Sequence, residues 1–330
     1  MPDRSSARPS FTVVHGDLAR APTAADHALD GAVVAIGNFE GVHRGHRAVI
    51  GVALARAREL TRKTAVLTFE PHPRAVFKPD EPVFRLTDEA TKLRLLATTG
   101  VDGAIVMHFD AALAGLSASD FVRRILVERF AFAGVVVGFD FHFGKGRAGT
   151  PAFLEEAGRA NRFTVDIVPA FADGGTRISS GEVRAALAAG DVEAAATLLG
   201  YSWFVNGEVV HGDKRGRELG FPTANLRVDP ACGLRHGIYA VRVGVDGKRL
   251  DGVASFGRRP MFDNGAVLLE VFLFDFAGDL YGKRLDVAFI HWIRPELKFA
   301  SIDDLISRMD EDCGLARAAL AQAPKAFPPI

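Results

Sequence analysis

Short apolar runs alternate with longer mixed segments through the first half of the chain. Ala32–Ile36 (AVVAI), Thr64–Phe69 (TAVLTF), Gly103–Met107, Gly134–Gly138 (GVVVG) and Thr164–Val168 are brief and nearly all apolar, the pattern of strands buried on both faces. Between them Ala48–Leu60, Glu89–Thr99, Ser119–Phe130 (with Asp120 near its start) and Pro151–Asn161 have helical composition. Short strands separated by longer helices predict an α/β unit with a parallel sheet and right-handed crossovers. Ligands of such sheets gather beyond the C-terminal ends of the strands.

The pattern changes after Ser179. An Ala-rich stretch, Glu182–Leu199, is broken by Gly190-Asp191, where glycine ends one helix and aspartate caps the next. It is read as an inter-domain connection. From Phe204 onward strand-like segments follow one another: Phe204–Val210, Gly237–Val243, Asp251–Phe256, Val267–Phe274 and Leu285–Ile290. Turn dipeptides such as Asp246-Gly247 and Asn264-Gly265 separate some of them, which predicts an antiparallel barrel. Ser301–Ala321 reads as a closing helix, with Ser301 as cap and Asp303 and Asp304 in the first turn. The expected domains are residues 1–187 and 188–330.

Length agrees with two domains, since 330 residues exceed the ~100–200 of a typical one. Forty basic residues balance forty acidic ones, so no net charge draws the chain to nucleic acid or to an anionic membrane. Cys232 and Cys313 lie far apart, which excludes a disulfide scaffold and a cysteine-based zinc site and fits a reducing compartment. The first residues lead into no apolar core of a secretory signal, and no apolar run approaches the ~18 residues of a membrane span. The expectation is a cytoplasmic protein with no nucleic-acid or membrane partner; oligomeric state is open.

The chemistry lies in two stretches. Between the first strand and first helix stands GNFEGVHRGH, Gly37–His46. Gly37 and Gly41 permit a tight turn, His43 and His46 share a helical face, and Gly45 between them leaves room at the backbone for a bulky ligand. Two imidazoles at a helix N-terminus suit a polyphosphate that gains charge during reaction. H-x-G-H has a chance expectation of roughly 0.03 in a chain of this composition. It is neither a dinucleotide G-x-G-x-x-G nor a P-loop, and a zinc site lacks a third ligand at suitable spacing. LTFEPHP (67–73), GFDFHFGKGR (138–147) and RISSGEVR (177–184) fall where loops of the same sheet edge would converge.

These strings resemble the nucleotidylyltransferase superfamily, and GNFEGVHRGH, LTFEPHPRAVF and VVGFDFHFGKGR specifically resemble its FAD synthetase (FMN adenylyltransferase) domain, over about residues 30–187. The resemblance implies a Rossmann-like parallel sheet. It also implies nucleotide or phosphate contacts from Gly37, Asn38, Gly45, Asp140, Ser180 and Arg184, with His43 and His46 as catalytic groups stabilising phosphate charge. The chain departs from the family's usual pattern at Glu40, where aspartate is usual, and at Gly181, where threonine is usual.

The second stretch is HGDKRGRELGFPTANL, His211–Leu226. Basic residues interleaved with glycines suit a loop that closes over phosphates. Pro222 stiffens the backbone before Thr223 and Asn225, whose side chains fall on one side of an extended segment, a plausible pair of oxygens for Mg²⁺. Glu270 sits in the apolar strand VLLEVF and faces either solvent or the barrel interior; a carboxylate in a barrel mouth would have a raised pKa and act as a general base.

GFPTANL, followed by GIYAV, GRRPMF, LEV and DLYGKRL, resembles the riboflavin kinase domain over about residues 200–310. The implied fold is a six-stranded antiparallel Greek-key β-barrel with a C-terminal helix. The implied roles are Glu270 as the base for the ribityl 5′-hydroxyl and Thr223 and Asn225 as holders of Mg-ATP. Lys214 and Gly220 are implied at the nucleotide, and Arg294 and Phe299 at the flavin. Met261 and Ser255 stand where the family usually has threonine and asparagine. The two resemblances together imply flavin biosynthesis by one multifunctional transferase. Its kinase makes FMN from riboflavin and ATP; its nucleotidyltransferase makes FAD from FMN and ATP, with Mg²⁺ in both sites. The other open readings are a kinase with a degenerate adenylyltransferase domain and a non-catalytic flavin-binding regulator.

Overall fold

The computed structural model describes residues 10–173, 176–211, 219–258 and 267–324. Contacts divide it into two compact units. One holds the chain up to Val83 and Thr87–Ile178; the other holds Phe84–Leu86 and the chain from Ser179. Helix Ser180–Ala189 therefore groups with the second unit, where it packs on helix Val192–Leu199, rather than with the first as a boundary after residue 187 would have it.

The first unit is built on six strands: β1 Thr12–Gly16, β2 Val33–Ile36, β3 Thr64–Glu70, β4 Gly103–His108, β5 Gly134–Gly138 and β6 Thr164–Val168. They lie in the order β1-β4-β3-β2-β5-β6, every pair parallel. β2 and β3 are buried along their whole length, as continuous apolar runs require in a sheet covered on both faces. β1 is absent from the sequence reading. It is an edge strand that buries only Val14 and Gly16 of its five residues, so it shows no apolar run. Residues 118–129 begin as α-helix and widen to a π-helix over Val122–Arg129, where the Phe130 amide reaches back to the Ile125 carbonyl.

Past the two-residue hairpin of β7 Ala172–Asp173 and β8 Thr176–Arg177 comes the second unit. Its strands are β9 Phe204–Val210, β10 Thr223–Arg227, β11 Gly237–Val245, β12 Lys248–Arg258, β13 Val267–Leu273 and β14 Arg284–Arg294. They close an antiparallel barrel in the order β10-β13-β12-β11-β14-β9. On β13, Val267, Leu269, Val271 and Leu273 are buried and alternate with half-exposed Leu268, Glu270 and Phe272. One set fills the barrel and the other projects outside.

Three polar anchors finish the second unit. Trp203 is buried, stacks on Phe289, and donates its indole N–H to the Leu86 carbonyl at 2.9 Å, with the Phe84 ring edge-on to it. Helix Ile302–Gln322 is pinned near its middle by Arg294, whose guanidinium grips Asp312 at 2.8 and 2.5 Å. Its C-terminal end is capped by Arg242 of β11, which donates to the carbonyls of Leu320, Ala323 and Pro324. Leu320 is among the last four helical residues, whose carbonyls a helix end leaves without partners. Among the described residues, no helix is long and apolar enough to cross a membrane.

Candidate active sites

In the first unit the chain leaves β2 and turns sharply. Phe39, Gly41 and Val42 all have left-handed backbone, with φ of 48°, 73° and 38°. Two of these are not glycine, so burial of the Phe39 and Val42 side chains must hold the conformation. His43 then caps the helix Arg44–Leu60: its Nδ1 accepts the His46 amide at 3.2 Å. The helix begins earlier than the sequence suggested because the cap is a histidine rather than the usual Ser, Thr, Asp or Asn. The His43 and His46 rings stack with centroids 3.5 Å apart and planes 16° apart, and Phe39 sits against His46 at 5.2 Å. A Cβ on Gly45 would come within 3.2 Å of the His43 ring and 3.3 Å of the Ile178 carbonyl. Its missing side chain thus makes room for that ring and for passing backbone. Gly37 likewise accommodates the Phe39 ring.

The electrostatics follow from burial. Desolvation pushes His43 down to about 4 against an ordinary 6.5. Desolvation first, then the positive ends of His43 and Lys92, hold His46 well below its usual value. At neutral pH both rings are uncharged and act as N–H donors. The His46 Nδ1 is sealed from solvent and has no hydrogen-bond partner among the described residues.

β3 and β5 flank β2, so their C-terminal loops lie beside the histidine turn. From the β3 loop, His72 brings its Nε2 to 3.8 Å from the buried Glu40 carboxylate, and its Nδ1 caps the short helix Pro73–Phe77. From the β5 loop, Asp140 is exposed beyond Gly138, and its carbonyl meets the His142 ring at 2.9 Å. These three loops share one sheet edge, whereas the stretch 177–184, expected there too, divides between the two units at Ile178 and Ser179. Ser180 and Arg184 belong to the second unit: Ser179 caps their helix by accepting the Glu182 amide at 3.3 Å, and Arg184 donates from Nε to the Phe84 carbonyl at 2.6 Å.

One group of buried polar residues escaped sequence reading. Lys92 is 2% exposed, and its ammonium donates to Glu70 at 2.7 Å and to the Thr68 hydroxyl at 3.2 Å. Thr68 in turn donates to the Asn38 carbonyl at 3.0 Å, and Thr87 accepts the Gly41 amide at 3.2 Å. The one available signal was position: Lys92 shares a helix face with Leu95 and Leu96, both buried.

In the second unit the candidate residues lie on the outside of the barrel wall. Asn225 on β10 stands directly opposite Glu270 on β13, which stands opposite Ser255 on β12; Thr223 stands opposite Phe272. The alternation on β13 therefore places Glu270 on the outer face and not within the barrel interior. Phe221 packs edge-on to Phe272 at 5.3 Å and closes one side of this row. Just before it Gly220 has φ of 86°, a conformation that favours glycine, with open space around it. Asn225 donates from Nδ2 to the Thr223 carbonyl at 3.4 Å, which leaves its amide oxygen to act as acceptor or ligand. Arg294, expected at the flavin, directs its guanidinium to Asp312 and to the Pro295 carbonyl, with the Phe299 ring 5.9 Å away. Lys214 and Met261 lie outside the described residues.

Comparison with known proteins agrees with this division. Residues 25–182 match the family model of FAD synthetase and residues 199–320 that of riboflavin kinase. The bifunctional riboflavin kinase/FMN adenylyltransferase of Escherichia coli K12 is 42% identical over 284 residues, 86% of this chain and 91% of that one. The protein of the same description from Listeria monocytogenes is 39% identical over 293 residues, 88% of this chain and 93% of that one. A solved structure from Streptococcus pneumoniae, described as a macrolide-efflux protein, superposes with a TM-score of 0.82 at 30% identity, covering 93% of this chain and 99% of that one. The chain belongs to the family of bifunctional riboflavin kinases/FMN adenylyltransferases.

Proposed function

We infer that the chain makes FMN and then FAD, one reaction in each unit. In the second unit the riboflavin 5′-hydroxyl attacks the γ-phosphorus of ATP, forming the new P–O bond of FMN as ADP leaves. Glu270 accepts the hydroxyl proton. In the first unit a phosphate oxygen of FMN attacks the α-phosphorus of a second ATP, forming FAD as pyrophosphate leaves. Both are in-line transfers in which positioning and charge stabilisation lower the barrier.

The observation that carries the kinase reading is the outward row Thr223, Asn225 and Glu270 on paired strands. Hard oxygen donors suit Mg²⁺, and a hydroxyl and an amide oxygen leave most of its coordination to water and phosphate. Thr223 and Asn225 would hold the ion together with the nucleotide. Mg²⁺ supplies neutralisation of phosphate charge when bound.

The observation that carries the adenylyl-transfer reading is the stacked His43–His46 pair at a helix N-terminus on the sheet's C-terminal edge. Neutral imidazoles and helix amides donate to phosphate oxygens as charge moves to the leaving pyrophosphate. Asn38 and Asp140 are proposed nucleotide or phosphate contacts of this reaction.

Pure protein incubated with riboflavin and Mg-ATP, with the flavins separated by chromatography, tests both halves. FMN followed by FAD is expected. Accumulation of FMN alone would overturn the adenylyl-transfer assignment; unchanged riboflavin would overturn the kinase assignment, and FMN supplied directly with Mg-ATP then decides the other.

A further inference from the structure

Lys92 is a buried cation that neither reaction uses. A buried ion pair is a poor device for stability alone, because desolvating both charges offsets much of their attraction. Its placement beside Glu70 calls for another reason, and the hydrogen bonds supply one. An ammonium has donors and no acceptor. The Thr68 hydroxyl, accepting from Lys92, must therefore turn its own proton to the Asn38 carbonyl. Asn38 immediately precedes the left-handed turn at Phe39, Gly41 and Val42, which ends at His43. Glu70 fixes the other side of the ammonium.

We infer that Lys92 is a positioning residue for FMN adenylyl transfer: held by Glu70, its ammonium sets the direction of the Thr68 hydroxyl and so anchors the head of the turn that carries His43 and His46. The inference rests on the assignment of adenylyl transfer to that turn. Thr87 holds the same turn from its Gly41 amide, so the two tethers grip it at both ends of its left-handed stretch. Thr68 is fully buried and touches the turn through its hydroxyl alone among the described hydrogen bonds, which makes that bond the link to cut.

The test uses the full chain with Thr68→Val, Thr68→Ser, Lys92→Met and, as reference, His46→Ala. FAD formation from FMN and Mg-ATP, riboflavin phosphorylation and thermal unfolding are measured on each. Thr68→Val is expected to lower the adenylyl-transfer kcat on the order of 10- to 100-fold, the cost of a misplacement of about 1 Å, with the ATP KM little changed. Thr68→Ser restores it, Lys92→Met loses at least as much as Thr68→Val, and riboflavin phosphorylation keeps its wild-type rate throughout. Wild-type kcat in Thr68→Val, or a serine variant as slow as the valine one, would overturn the inference. If Lys92→Met fails to fold, the Thr68 pair decides. An inactive His46→Ala beside a fully active Thr68→Val sinks this inference alone; an active His46→Ala sinks the site assignment beneath it.

Discussion

Asn225 and Glu270 face each other across the β10–β13 pair, and both project from the outside of the barrel. The carboxylate proposed as base and the amide proposed to hold the metal are thus set on neighbouring strands, where the pleat and the register fix their separation. Leu269 and Val271, which alternate with Glu270 on β13, are buried in the barrel interior.

Glu270→Gln keeps the shape and removes the base. Riboflavin phosphorylation should slow by about 10²–10⁴-fold, the usual worth of a general base. FAD formation from supplied FMN should be unaffected. Steady-state kinetics with each flavin as substrate check this, and an unaltered kinase turnover would reject the role.

His46→Ala should abolish FAD formation while FMN accumulates at close to the wild-type rate. Chromatography of the flavins against time distinguishes this from a general loss of folding, which would stop both products.

Acid should weaken the first unit. His43 is held at about 4 when folded and returns to 6.5 when unfolded. Between these values the unfolded chain binds a proton that the folded chain refuses, so stability is complete above the upper value and falls as pH drops through the interval. The full loss is about 3 kcal/mol, and buried His46 acts in the same direction. Urea denaturation at a series of pH values should show a steeper decline for the wild type than for His43→Asn. Equal slopes would mean that the ring is already hydrated in the fold.

Arg242→Met should destabilise the barrel unit by about 1–3 kcal/mol, because the carbonyls of Leu320 and Ala323 lose their donor. Thermal unfolding measures it. A neutral result would show that water replaces the guanidinium at the helix end.

Much of this was legible in the sequence because it depended on local periodicity. The parallel strands buried on both faces read directly as apolar runs, and the terminal helix announced its cap at Ser301, which accepts the Asp304 amide at 3.1 Å. What stayed hidden depended on partners far along the chain. β1 reads as polar because an edge strand buries few side chains. β10 is short and carries the polar pair Thr223 and Asn225, so its pattern is that of an extended segment and not of a half-buried barrel strand. Which side Glu270 took was undetermined until the register of β13 was known. Lys92 looked like any solvated lysine, because its partners Thr68 and Glu70 lie on a different element. The pairing of Arg294 with Asp312, eighteen residues on in a different element, is one that no spacing rule reveals.

The segment Phe84–Leu86 gives the second unit an unusual pedigree. It is encoded in the midst of the first unit yet supplies the carbonyl for Trp203 and the one for Arg184. A kinase fragment begun at Ser179 would therefore lack the Leu86 carbonyl that accepts from Trp203 and the Phe84 carbonyl that accepts from Arg184. The two activities share one chain in a stricter sense than tandem fusion: a single cut at Ser179 would leave three residues of the second unit behind in the first.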